Sequence, residues 1–236
     1  MAIPEPDSKK VRTTVAAELD EAGYGVVPAV LSEAQCGSLV DFYTDDSVKF
    51  RKRIDMARYN FGRGEYQYFA YPLPALVQEL RENFYALLAP IANDWHERLG
   101  IESRWPPSLQ EFLRQCHARR QTRPTPLLLS YKAGDYNCLH QDLYGETYFP
   151  LQVIIQLSRP GVDFDGGELM LVEQRPRMQS RGMVVRPQQG DAVVIPVRER
   201  PRRGSRGYHR VSIRHGVSQL SSGQRFTLGL IFHDAK

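Results

Sequence analysis

Beyond Pro126 the period of the chain changes, and that change limits the fold more than any single residue does. Residues 127–131, 151–157, 168–172, 191–197 and 225–232 are short runs rich in β-branched and large apolar side chains. Between them stand Gly134, Gly166 with Gly167, Gly190 and Gly223, which accept the backbone angles of tight turns. Many short strands with glycine turns predict a sandwich or a double-sheet roll.

Upstream the spacing is helical. Residues 13–22 are amphipathic and stop at Gly23, and a short extended stretch, 26–28, follows. Ser32-Glu33-Ala34-Gln35 has the form of a capping box, opening a helix to about Tyr43. Pro74 suits the first turn of a long helix reaching Leu99, with a kink at Pro90. Ser108 precedes Leu109, Phe112, Leu113 and Cys116 at helical spacing, so a third helix is expected to about Arg120. Helices first and strands after make an α+β chain, with a helical layer packed on the roll and not a separate domain. The polar residues 1–12 read as a disordered tail. Residues 13–236 then form one domain, in which 13–125 supply helical support and a substrate lid and 126–236 the β core.

A chain of 236 residues can bury a substantial core. It has no apolar run of membrane-spanning length and no secretory signal, so no membrane partner is expected. Cys36, Cys116 and Cys138 are odd in number and share no ligand spacing. They read as free thiols of a reducing cytoplasm. Net charge is only +4, but the basicity is concentrated. Between Arg175 and Arg214 stand eleven arginines against Asp191 and Glu199. Such a local excess points to a polyanion, nucleic acid first, and otherwise to a solvated loop.

Against this background, Leu139-His140-Gln141-Asp142 stands out. In an extended segment residues i and i+2 share a face, so His140 and Asp142 can reach one metal from one strand end. The third ligand must come from His209, His215 or His233. His215 is favoured because its offset to Arg225 can set both toward one cavity. Two imidazoles and a carboxylate suit Fe(II) with open positions, and zinc with an open position uses the same residue types.

From about Pro126 to its end the chain resembles the Fe(II)/2-oxoglutarate-dependent dioxygenases. Their H-x-D, distal histidine and following basic residue correspond to His140, Asp142, His215 and Arg225. The resemblance implies a double-stranded β-helix core of jelly-roll or cupin type. It also implies metal ligands at His140, Asp142 and His215, and 2-oxoglutarate held by Arg225, Thr227 and Tyr131. Fe(II), 2-oxoglutarate and O₂ are the cofactors it implies. No catalytic residue separate from the ligands is expected, because the chemistry is centred on the iron.

Two subgroups are similar to different parts of the chain. Leu139-His140-Gln141-Asp142 resembles AlkB-type nucleic-acid demethylases, and most of the chain is similar to a bacterial family related to them. The last strand departs from their R-x-N-x-x-x-R pattern, with Thr227 and Ile231 after Arg225. That strand and Asp165-Gly166-Gly167 are more similar to prolyl hydroxylases. The arginines bring independent weight to nucleic acid. Arg198, Arg200, Arg202, Arg203, Arg206 and Arg210 are expected on a basic loop before His215. Arg58, Tyr59, Arg63 and Tyr66 belong to a second stretch, where arginines interleave with aromatics as in sites for unstacked bases. The expectation is oxidative demethylation of alkylated DNA. The alternatives are a peptidyl or small-molecule hydroxylase, and a DNA-binding sensor of iron and 2-oxoglutarate with little turnover.

Overall fold

The computed structural model describes residues 5–236. Helix α1 spans Glu5–Glu21, so the expected disordered tail is helical from Glu5 on, and residues 1–4 lie outside the described residues. The cause is a seam of Val11, Val15 and Leu19 at four-residue spacing, of which Val15 and Leu19 are buried. Strand β1 (Gly25–Val27) follows, then α2 (Glu33–Asp41). Its capping box is formed: the Gln35 amide donates to Ser32 Oγ (3.3 Å) and the Ser32 amide to Gln35 Oε1 (2.9 Å).

The region expected to be mainly helical then turns to strands: β2 (Phe50–Asp55), β3 (Gly62–Arg63) and β4 (Glu65–Phe69), with a 3-10 turn at Met56–Tyr59. Their arginine and tyrosine content hid them, because burial does not alternate: only Ile54 is buried on β2, and Gln67, Tyr68 and Phe69 are buried in succession on β4. Helix α3 (Ala75–Arg98) is capped by Pro74 and runs through Pro90, whose ring lies at the surface. Helix α4 (Leu109–Ala118) starts at Ser108, whose hydroxyl accepts from the Glu111 amide.

The remaining strands are β5 (Leu127–Lys132), β6 (Tyr136–His140), β7 (Leu151–Gln156), β8 (Phe164–Gly166), β9 (Leu169–Gln174) and β10 (Arg181–Val185). They continue with β11 (Ala192–Pro196), β12 (Glu199–Gly204), β13 (Gly207–Val217) and β14 (Leu220–Leu230). One sheet runs β1-β11-β7-β14-β5-β4-β2, with β8 beside β14. The other runs β10-β9-β13-β6-β3, with β12 beside β13. This is the expected roll, widened by β2 and β4 on one sheet and by β3 on the other. The helices and the outer side of the larger sheet enclose the main core, which includes Leu39, Phe69, Phe84, Tyr85, Phe112, Phe149, Leu228 and Phe232. The basic segment expected as a loop is the β12–β13 hairpin.

One buried ion pair ties the end of the chain to α3. Arg81 and Asp234 are fully buried and meet at 2.9 Å, and Arg81 also donates to the carbonyls of Ile231 and Phe232. His117 Nε2 lies 2.9 Å from the other Asp234 oxygen. Asp234→Ala would strand the guanidinium, so it is expected to cost about 3–5 kcal/mol. Urea unfolding measures this, and a loss below about 1 kcal/mol would show that water or a carbonyl replaces the carboxylate.

Candidate active site

The smaller sheet brings three ligand-type side chains together. β6 ends at His140, Asp142 follows two residues on, and His215 lies directly across from His140 in the β13–β6 register. His215 Nε2 is 3.1 Å from Asp142 Oδ2, and His140 Nε2 is 3.6 Å from Asp142 Oδ1. Their ligand atoms all lie within 4.8 Å of one another, the one such grouping among the described residues. Of the other two histidine candidates, His209 is exposed on the hairpin. His233 is buried behind the site, its Nδ1 accepting from the Phe149 amide at 3.3 Å.

Local chemistry orients these groups. His140 Nδ1 meets the Cys138 carbonyl at 2.7 Å, which requires the proton on Nδ1 and leaves the Nε2 lone pair free. Gln141, between the two ligand-type residues, donates to the carbonyls of Arg198 (3.0 Å) and Ile213 (2.9 Å), pinning the segment to the neighbouring strand. Beside His215, a Cβ on Gly216 would stand 2.7 Å from the Asn137 carbonyl oxygen, so only glycine lets β13 and β6 approach this closely. Burial, with His215 alongside, holds the His140 pKa below its ordinary value and favours the neutral ligand form. Burial opposes ionisation of Asp142, but His215, His140 and Tyr144 outweigh it and hold the carboxyl well below the usual range.

The larger sheet supplies the opposite wall. On β14, Arg225 lies across from Tyr131 of β5, and Thr227 follows at the next inward position. All three are buried. The Arg225 guanidinium lies 5.8 Å from the Tyr131 ring centre and 5.9 Å from that of Phe164. Among the described residues it makes no side-chain hydrogen bond and no close ion pair. Burial lowers its pKa to about 10, which still leaves it charged at neutral pH. The Tyr131 phenol, raised to about 12 by burial, accepts from Asn137 Nδ2 at 3.2 Å. Glu168 is the carboxylate that acts on Arg225, through space and not as a close ion pair. A buried cation without a close partner is costly and suits a site that receives an anion. Arg225, Thr227 and Tyr131 line the same cavity of about 400 Å³ as His140, Asp142 and His215. That volume lies in the range of small-molecule sites.

The residues expected to grip substrate fare unevenly. Arg200 is buried and pairs with Glu173 at 2.6 Å, while its Nη1 donates to the Asp20 carbonyl. Arg202 shares Glu173 at 3.4 Å, and Arg210 pairs with Glu199 at 3.2 Å. Arg200 and Arg202 are thus tied down by Glu173, which lies outside the arginine-rich window and reaches it only through strand register, whereas Arg210 stays exposed beside Glu199. Arg198, Arg203 and Arg206 are exposed. Arg58 is exposed near Asp55 (3.3 Å), and Arg63 is exposed on β3. Tyr66 lines the cavity. At its mouth Tyr59 stacks on Phe61 with ring centres 5.6 Å apart, both about half exposed at 50% and 48%. Leu139 and Leu143 add to this apolar rim. Cys138, read above as a free thiol, lines the cavity and is exposed.

Three neighbours of the cluster were missed by sequence reasoning. Tyr144 donates to Asp142 Oδ1 at 2.7 Å, Gln152 Nε2 approaches His215 Nε2 at 3.5 Å, and Asn137 meets Tyr131. The two-residue step that joined His140 to Asp142 also reaches Tyr144. The other two require the strand register.

A roll with two histidines and a carboxylate on one wall and a buried arginine on the other is the architecture of an Fe(II)/2-oxoglutarate-dependent dioxygenase, and the donor set fits Fe(II). Residues 64–235 match the family described as "Oxygenase, catalysing oxidative methylation of damaged DNA", and the chain belongs to that family. An uncharacterized protein of Mycobacterium tuberculosis strain H37Rv is 52% identical over 167 residues, covering 71% of this chain and 72% of that one. Its counterpart in strain CDC 1551 matches to the same extent. Among solved structures, a Pseudomonas putida prolyl-4-hydroxylase matches with a TM-score of 0.55 and 14% identity, over 95% of this chain and 99% of that one. A Burkholderia pseudomallei oxidoreductase of the 2OG-Fe(II) oxygenase family matches with a TM-score of 0.54 and 15% identity, over 95% and 92%. A Trichoplax adhaerens prolyl hydroxylase, solved with a hypoxia inducible factor peptide, matches with a TM-score of 0.55 and 13% identity, over 97% and 91%. At such identities these likenesses speak to the fold. The enzyme works with Fe(II), 2-oxoglutarate and O₂. Among the described residues, no helix is long and apolar enough to cross a membrane.

Proposed function

We propose that the enzyme oxidatively demethylates alkylated nucleic acid, DNA first, with His140, Asp142 and His215 holding Fe(II). The observation that carries the site assignment is the buried, unpaired Arg225 in the same cavity as the triad. Arg225 receives the far carboxylate of 2-oxoglutarate through charge-assisted hydrogen bonds. Thr227 and Tyr131 offer hydroxyls on the same wall. Bound iron with 2-oxoglutarate and O₂ supplies the oxidation of a C–H bond, yielding succinate and CO₂. Hydroxylation of an N-methyl group gives a hemiaminal that loses formaldehyde, so the chemistry removes a methyl group and does not add one. The chain's own part is to orient the ligands, bury the co-substrate's charge and place the substrate at the metal.

The nucleic-acid reading draws support from the family's description and from the cavity mouth. Tyr59 and Phe61 offer ring faces to an unstacked base, and Tyr66 lies further in. Of the arginines expected to grip substrate, Arg58, Arg63, Arg198, Arg203, Arg206 and Arg210 are exposed and remain for phosphates. Three unpaired cysteines fit a cytoplasmic location.

A panel of alkylated oligonucleotides and proline-containing peptides, assayed with iron and 2-oxoglutarate, tests this reading. Formaldehyde and succinate are expected to rise together with methylated oligonucleotides, more weakly as salt increases. Succinate released by peptides but by no nucleic acid would transfer the enzyme to the peptidyl hydroxylases. Salt-sensitive DNA binding without turnover would favour the sensor.

A further inference from the structure

The two oxygens of Asp142 are not equivalent. Oδ2 lies 3.1 Å from His215 Nε2. Oδ1 accepts the Tyr144 phenol at 2.7 Å, a bond shorter than its 3.6 Å approach to His140 Nε2. Tyr144 lines the cavity wall and is itself braced. Its ring meets that of Tyr68 edge-on, with centres 6.2 Å apart and planes at 88°, and the two hydroxyls lie within hydrogen-bonding reach. Tyr68 is buried, and the Arg51 guanidinium lies 4.2 Å from its ring centre.

The direction of this chain follows from proton inventory. An ionised carboxylate only accepts, so the single phenolic proton of Tyr144 goes to Asp142. The Tyr144 oxygen is then left to accept from Tyr68. Strand β4, which widens the roll, is thereby coupled to a metal ligand through two phenols.

We propose that Tyr144 is a positioning residue for the metal centre: by holding Oδ1 of Asp142 it leaves Oδ2 as the carboxylate's single donor, and Tyr68 keeps Tyr144 in place. This rests on the reading of Asp142 as a metal ligand. A carboxylate that donates through one oxygen keeps a coordination position open that a two-oxygen grip would close. Partners of metal ligands of this kind change metal affinity by roughly 10–100-fold when removed.

Cobalt(II) alone is the probe, titrated into the metal-free protein and followed by visible absorption. Tyr144→Phe keeps the ring and removes the proton. It is expected to weaken cobalt binding by roughly 10–100-fold and to change the visible band shape, with little change in the thermal midpoint of the metal-free protein. Tyr68→Phe is expected to shift affinity in the same direction by less. Wild-type affinity and band shape in Tyr144→Phe, with cobalt lost in Asp142→Ala, would overturn the proposal while leaving the metal site intact. Wild-type cobalt binding in Asp142→Ala would instead remove the metal reading itself. Should Tyr144→Phe fail to fold, unchanged affinity and spectrum in Tyr68→Phe overturn the proposed brace.

Discussion

Arg225→Met is expected to lose binding of 2-oxoglutarate while leaving the metal-free protein as stable as the wild type, or more so. The two effects have one cause. Arg225 is fully buried against Tyr131 and Phe164 with no close ion pair among the described residues, so in the absence of co-substrate it is a desolvated cation. Replacing such a charge by an apolar side chain of similar reach removes its desolvation cost, so stability is expected to hold or rise. A charge-assisted bond to the co-substrate carboxylate is lost at the same time. At roughly 1.5–3 kcal/mol for each such bond, a two-bonded contact corresponds to a loss of two or more orders of magnitude in affinity. Calorimetry measures the affinity and thermal unfolding the stability. A variant that binds 2-oxoglutarate normally, or that unfolds many degrees lower, would mean that Arg225 has a structural partner instead.

His140→Ala is expected to lower iron-dependent succinate formation by at least about a thousandfold, which corresponds to roughly 4 kcal/mol of transition-state stabilisation. The side chain is about one-third exposed (34%), and its Nδ1 contact with the Cys138 carbonyl stays within the same strand. Folding should therefore tolerate the change. Because His140 is held neutral at ordinary pH by burial and by His215, its value to the protein lies in the free lone pair on Nε2. A folded His140→Ala protein with unchanged turnover would remove the metal assignment.

The contrast between these two residues shows what a sequence can carry. His140 and Asp142 were legible because two ligand-type residues at a two-residue step share a strand face whatever the fold. His215 was only favoured over His209 and His233 by its offset to Arg225, and the role of Arg225 came with the resemblance, since only the register of β13 with β6 and of β14 with β5 sets them across one cavity. The capping box at Ser32 and the cap at Ser108 were legible for the same reason as the H-x-D step, being local. β2 and β4 were not, because their arginines, tyrosines and glutamine carry no apolar alternation and their burial follows none. The hairpin arginines misled most. Charge density along the chain counted Arg200 and Arg202 as free, whereas Glu173 on β9 pairs with both from across the sheet. A partner set by register is invisible to a window of sequence.

The central claim is that one cavity holds the metal at His140, Asp142 and His215 and the co-substrate at Arg225. Anaerobic calorimetric titration of 2-oxoglutarate into the manganese-loaded protein tests it most directly, manganese standing in for iron without redox chemistry. The account predicts one binding event per chain that is strongly weakened without metal, weakened again in Arg225→Met, and absent in the double variant His140→Ala, Arg225→Met. Binding of equal strength with and without metal, or undiminished in Arg225→Met, would contradict it.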